Sequence, residues 1–300
     1  MSIVTRSIST RPRKQAQPRL GIPKVAPAKR QWSILVWFSY FWIGLVVVLA
    51  IAAPILPIAP IDAIVGPPRQ PPQFGPIDTL LGTDGAGRSL LTRLIFGGQV
   101  SLVVGTASAA GGVILGTILG LLAGYYRKGV DWVVTLFADV LLSFPALVLL
   151  LAITAIFSPS VPVLLIGLAL TSTPTFIRLA RANTMAWTSR EFVRAARNMG
   201  ASDGRILLRE ILPNVVPTLA AYLPLVVAAL IVAEGSLSFL GLGVPPPTPS
   251  WGGMINAGAI ELRSAPFLTF VPATVLFLTV FALNQAGEHL RLRFDRTMQD

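Results

Sequence analysis

Six long apolar stretches punctuate this chain, and most of its charges fall between them. A hydrocarbon layer about 30 Å thick is crossed by roughly 20 residues of helix. The first stretch, residues 32–53, has no charge, carries Trp32, Trp37, Tyr40 and Trp42, and ends at Pro54, Pro57 and Pro60. Residues 55–96 follow and are too polar and Pro-rich to span. The second stretch lies within the uncharged run 94–126. The third covers 132–155 and closes on a turn at Phe157, Pro159 and Pro162. The fourth, fifth and sixth cover about 163–181, 215–233 and 267–287. Residues 235–260 are also uncharged. There Gly241, Gly243, Pro245, Pro246, Pro247, Pro249, Gly252 and Gly253 would leave backbone groups unpaired in lipid, which predicts a loop.

The second stretch has its own pattern. Gly105, Ala109, Gly112, Gly116, Gly120 and Gly124 place several small residues four apart, on one helical face. Such a face lets a neighbouring membrane helix approach closely, so it reads as packing rather than chemistry.

Composition and charge narrow the classes. The chain is 53% hydrophobic and 12% charged, about half the charge of a soluble domain. The net charge of +11 is a membrane asymmetry and not a nucleic-acid footprint. With six spans, the two tails and the even-numbered gaps take 20 of the 24 Lys and Arg, which predicts both termini in the cytoplasm. Residues 1–31 hold eight of these and no acid. They read as a basic, disordered cytoplasmic tail before a membrane domain of residues 32–300. A cleavable signal is excluded by the spanning length of the segment that follows. No inverted repeat of a two-half carrier is visible. With no Cys and a single His, His289, no metal site is expected, and an intramembrane hydrolase would lack its nucleophile and base. No Gly-Lys-Ser/Thr occurs, so ATP hydrolysis is expected outside this chain.

The most informative polar stretch is about 182–214, and above all residues 189–213. It predicts two short helices with a break. Ser189 is placed to cap the first, with Glu191 in its first turn, where the helix dipole favours an acid. Phe192, Ala195, Ala196 and Met199 form an apolar edge at helical spacing. Gly200 suits a left-handed exit. Asp203 is placed to cap a second helix presenting Ile206, Leu207 and Ile211, and Pro213 marks the next break. An exposed amphipathic helix of this kind needs a protein groove or a lipid surface to cover its apolar edge.

This stretch resembles the EAA-type loop of bacterial ABC importer permeases, which docks into a groove of the ATP-hydrolysing subunit. Ala195 and Ala196 match its paired alanines, Gly200 its glycine, and Leu212 and Pro213 its closing pair. Glu210 departs, standing where many members have isoleucine. Residues 81–93, Leu-Gly-Thr-Asp-Gly-Ala-Gly-Arg-Ser-Leu-Leu-Thr-Arg, resemble the GTD-x-x-GR signature of the C-type subunits of dipeptide, oligopeptide and nickel permeases, with Ser89 in place of an Asp. Residues 234–252 resemble the same subunits after the fifth helix. The resemblance implies an all-α membrane protein with six transmembrane helices in the type I ABC importer arrangement. It implies a heterodimer with a second permease subunit, two ATP-binding subunits that hold ATP and Mg²⁺, and an extracellular substrate-binding protein. It implies a multi-pass place in the cell membrane and a cargo of di- or oligopeptides. Nickel or another small cargo is the alternative, and a secondary transporter the remote one. Coupling is then expected from Glu191, Ala195, Ala196, Gly200, Ala201 and Asp203, closed by Leu212 and Pro213.

Four other sites carry charge. Glu234, near the end of the fifth segment, is expected to bond amides of the following loop, or to line the pore or gate. Asp139, in the third segment, is expected to pair with Arg178 or Arg181 and not to relay protons. Asp84, Arg88 and Arg93 either contact the binding protein or anchor the start of the second helix. His289, beside Glu288 and Arg291, is expected at a solvated helix end.

Overall fold

The computed structural model describes residues 34–297, with side chains to residue 293. The basic tail 1–31, Trp32 and the Arg296 side chain lie outside the described residues. The described chain is helical: α1 (Ile34–Ala52), α2 (Leu90–Tyr126), α3 (Lys128–Ser143), α4 (Ala146–Phe157), α5 (Val161–Thr188), α6 (Glu191–Asn198), α7 (Asp203–Arg205), α8 (Leu212–Phe239), α9 (Trp251–Ala259) and α10 (Phe267–Thr297). A π-helical stretch, Ile206–Ile211, joins α7 to α8 without a gap. Five runs are long and apolar enough to cross a membrane: Ile34–Ile55, Leu90–Tyr126, Val161–Thr188, Asp203–Phe239 and Phe267–Arg293. α3 and α4 pass the same test only as a pair, bent by 88° at the break between them, and make a sixth if they count as one span.

That bend corrects the expectation of an unbroken third helix. Pro145 disfavours helical backbone at the residue before it, and Phe144 is extended, with φ −94° and ψ 132°. α2 starts at Leu90 and not near 94, because the Ser89 hydroxyl accepts the Thr92 N–H at 3.2 Å and caps the helix. α5 runs on to Thr188, beyond the expected 181.

The loop expected over 235–260 holds for residues 240–250 and is corrected on either side of them. α8 continues to Phe239, and α9 forms within the stretch, capped by Ser250, whose hydroxyl accepts the Gly253 N–H at 3.2 Å. The glycines that argued for a loop allow close approach instead: a Cβ on Gly252 would sit 2.5 Å from Gly235 Cα of α8. Trp251 is buried, and its indole N–H donates to Leu94 O at 3.0 Å. A nine-residue helix is too short for periodicity to reveal against so many Gly and Pro.

The small face of α2 packs as expected. A Cβ on Gly116 would lie 2.5 Å from Phe176 Cβ, and one on Gly120 would lie 2.7 Å from both Ala180 Cβ and Ile177 O. One on Gly124 would lie 2.7 Å from Thr184 Cβ. Every one of these partners is on α5. Lipid supplies no hydrophobic drive between helices, so association rests on such close van der Waals contact. Gly105 at the other end of α2 serves α8 instead, where a Cβ would be 2.6 Å from Ile231 Cγ1. α1 closes on α10: the Trp42 indole N–H donates to Thr279 Oγ1 at 3.1 Å, and the Tyr40 hydroxyl meets His289 Nδ1 at 3.1 Å. His289 is therefore half-buried against α1 and not merely solvated.

Candidate coupling site

The α6–α7 turn begins from local backbone chemistry. Glu191 opens α6 and Arg197 closes it, each with the sign the helix dipole favours. The end is a Schellman motif. The Gly200 N–H donates to Arg197 O at 3.0 Å and the Ala201 N–H to Ala196 O at 3.1 Å, with Gly200 at φ +82°. This geometry explains three residue types at once. Gly200 takes the left-handed position. Ala196 and Ala201 are the small apolar pair such a motif brings together, and both lie against the core cluster that includes Ile206 and Ile211.

Two capping expectations are corrected. Ser189 does not cap α6; Arg190 stands at that position with no side-chain bond, and the Ser189 hydroxyl donates back to Ala186 O at 2.8 Å, finishing α5. Asp203 does not cap α7. Its Oδ1 accepts the Tyr125 hydroxyl at 2.6 Å, while Arg197 Nη2 donates to the same hydroxyl oxygen at 3.0 Å, its guanidinium 5.4 Å from the Tyr125 ring centroid. The hydrogen bond to Tyr125 is the first cause holding the Arg197 pKa above its ordinary value. Tyr125, which the sequence reading did not single out, thus ties both α6 and α7 to the end of α2. Its only sequence signal was a hydroxyl-bearing aromatic at the end of a spanning run.

Pro213 does not break the chain. It sits inside the continuous helical run Asp203–Phe239, and the disturbance is taken up by the π-helical stretch before it. A proline ring clashes with the carbonyl four residues back, here that of Arg209, and the wider π register relieves that clash. Ile206, Leu207 and Ile211 are buried, as expected.

The expected apolar edge of α6 divides in two. Ala196, with Val193, faces inward and is buried. Phe192, Ala195 and Met199 face outward, Met199 being 80% exposed. Two large apolar side chains and an alanine thus form an exposed row, flanked by exposed Arg190 and Arg194.

The sequence from the middle of α2 through α10 decides the kinship. Residues 116–296 match the pattern of the family described as binding-protein-dependent transport system inner membrane component. The chain belongs to that family. It is a permease component of an ABC importer, a multi-pass protein of the inner membrane. Membership carries with it ATPase partners, a substrate-binding partner and a second permease. The permease is 39% identical to the glutathione transport system permease protein GsiD of Pectobacterium atrosepticum, over 72% of this chain and 71% of that protein. It is 37% identical to the dipeptide transport system permease protein DppC of Alkalihalophilus pseudofirmus, over 73% and 72%. In fold it resembles the inward-facing MetNI methionine ABC transporter, with a TM-score of 0.55 at 19% identity, covering 67% of this chain and 95% of that one.

The other acids singled out in the sequence, Asp84, Glu234 and Asp139, lie in three separate places. At the end of α2 opposite Tyr125, Asp84 Oδ1 accepts the Ala86 and Arg88 N–H groups at 2.8 and 3.0 Å. Its Oδ2 takes Arg88 Nε at 2.7 Å and lies 3.5 Å from Arg93 Nε. The three residues are brought together, and they fold the approach to α2. Glu234, wholly buried, accepts the Ser101 hydroxyl at 3.1 Å and the Ser238 hydroxyl at 2.6 Å. Ser101 in turn accepts the Trp251 N–H at 3.3 Å. Ser238 accepts the Ser250 hydroxyl at 3.2 Å, and Ser250 accepts the Gly253 N–H. The carboxylate reaches backbone amides through these serines rather than directly, and the amides belong to α9. These serines were not legible as a set, because they come from three separate segments. Asp139 pairs with Arg178 at 2.8 Å, as expected, and Arg181 pairs instead with Asp131, a residue the sequence reading passed over.

Proposed function

We propose that this permease imports short peptides, with the α6–α7 turn receiving the motion of the ATPase subunits. The observation that carries the coupling role is the outward row Phe192, Ala195 and Met199 on a helix whose other face is fixed to the body by Val193, Ala196 and the Tyr125 bonds. A partner that seats on that row moves α6. The Schellman turn at Gly200 and the Tyr125–Asp203 bond pass the movement to α7 and α2 with little slack. Glu191, Ala195, Ala196, Gly200, Ala201 and Asp203 act as this coupling segment, closed by Leu212 and Pro213.

In this reading both termini lie in the cytoplasm, the coupling segment faces two ATPase subunits that hold ATP and Mg²⁺, and the Asp84–Arg88–Arg93 end faces the binding protein. A second permease subunit completes the pore. The peptide cargo is supported by the names of the relatives, which carry glutathione and dipeptides. The test is uptake by the reconstituted importer with its binding protein. Saturable, ATP-dependent import of a labelled dipeptide, competed by unlabelled peptide and not by nickel, is expected. Import of nickel alone would overturn the peptide assignment.

A further inference from the structure

Two ion pairs tie α3 to α5, and they are built differently. Arg181 meets Asp131 through two hydrogen bonds, one of them Nη2 to Oδ2 at 2.7 Å, and Asp131 also accepts Thr135 Oγ1 at 3.3 Å. The Arg181 and Asp131 side chains are 33% and 21% exposed. Arg178 meets Asp139 through a single bond, Nη2 to Oδ1 at 2.8 Å, with the side chains 61% and 52% exposed. Among the described residues, the second oxygen of Asp139 and the other nitrogens of Arg178 make no further hydrogen bond. The first pair is a shielded clasp, and the second holds its hydrogen-bonding capacity open.

Both residues of the open pair are on helices of the candidate spans, Asp139 about 16 Å of helix rise beyond Lys128. Two polar side chains flank the pair along the helices: Ser143, whose hydroxyl donates to the Asp139 backbone O at 2.7 Å, and exposed Thr175, one turn before Arg178 on α5. On a membrane-crossing helix a charge facing lipid is costly, and such charges mark bundle interiors or water-filled pathways. A dry subunit interface suits a singly bonded pair poorly, because the desolvation is not repaid without further hydrogen bonds. Water is the environment that fits. A half-exposed pair is also weak, so an incoming charged group displaces it readily. The guanidinium fork matches a carboxylate, and the Asp139 carboxylate matches an ammonium.

We propose that Asp139 and Arg178 form a charged station on the translocation path, taking the carboxylate end of a passing peptide on Arg178 and its ammonium end on Asp139. This rests on the peptide cargo proposed above.

The experiment uses the assembled importer in liposomes and three forms of one dipeptide: free, C-terminally amidated and N-acetylated. Arg178→Gln is expected to lower uptake of the free and N-acetylated forms about tenfold relative to the amidated form. Asp139→Asn is expected to lower uptake of the free and amidated forms relative to the N-acetylated form. The swap Asp139→Arg with Arg178→Asp should not restore either. Equal losses on all three forms, rescued by the swap, would make the pair structural and overturn the proposal. If the charge variants fail to assemble, Thr175→Cys decides, because the chain has no cysteine of its own. Labelling of that thiol by a charged, membrane-impermeant reagent in the assembled complex supports a water-lined track, and protection overturns it. A wild-type importer that moves no peptide at all overturns the peptide reading instead, and the Thr175→Cys labelling still decides whether this face lines water.

Discussion

Gly120 and Gly200 serve this permease for opposite reasons. Around Gly120 the space is full: a Cβ would meet Ala180 Cβ and Ile177 O at 2.7 Å. Around Gly200 nothing lies within 4 Å of a built Cβ, and the backbone is at φ +82°. The first glycine is selected by what is missing from its side chain, so that α2 and α5 can touch along their backbones. The second is selected by a dihedral angle, so that α6 can end and α7 can begin. The α2–α5 seam is thus filled and two-sided, while the α6–α7 turn is fixed on one face and open on the other. A fixed seam beside an open, tethered turn is what a machine needs if it is driven from outside and moves as a body.

The contrast breaks most severely at the seam. Gly120→Leu should cost about 3 kcal/mol or more, since backbone atoms and not flexible side-chain ends must move. Membrane levels of folded protein should fall sharply in a detergent melting assay. Glu234→Ala comes next, at about 2–3 kcal/mol, because Ser101 and Ser238 both lose their acceptor in a dry site. Glu234→Gln, which keeps an acceptor oxygen, should recover much of that loss in the same melting assay. Gly200→Leu should cost about 1–2 kcal/mol in left-handed strain yet leave insertion intact, and it should reduce uptake at unchanged membrane level. Wild-type uptake and ATPase coupling in Gly200→Leu would remove the turn from the coupling account. Tyr125→Phe should be mildest, at about 1 kcal/mol, with a rise in ATP hydrolysis uncoupled from uptake as the turn loosens from α2.

Much of this was written in the linear chain, and the reasons differ by element. The seam was legible because α2 repeats small residues at helical spacing over many turns, which only packing explains. Gly200 was legible because a glycine between two amphipathic runs signals a helix end. An ion pair of Asp139 with an arginine of the next span was legible, but the choice of Arg178 over Arg181 was not, because it turns on Asp131 taking Arg181. The bend at Pro145 was missed because hydropathy is blind to a single proline in an apolar run. α9 was missed because its glycines read as loop when their use is close contact with α8. Tyr125 and Ser101 act through partners 78 and 133 residues away, and no local pattern marks such residues.

The central claim is that this chain is driven by ATPase subunits seated on the outward row of α6. The direct test is affinity capture of the tagged permease from native membranes in mild detergent, for the wild type and for Phe192→Asp. The account predicts that a second permease and an ATPase subunit accompany the wild type in stoichiometric amounts, and that Phe192→Asp keeps the second permease but loses the ATPase. A wild-type chain that purifies alone and moves solute into liposomes without ATP would contradict it.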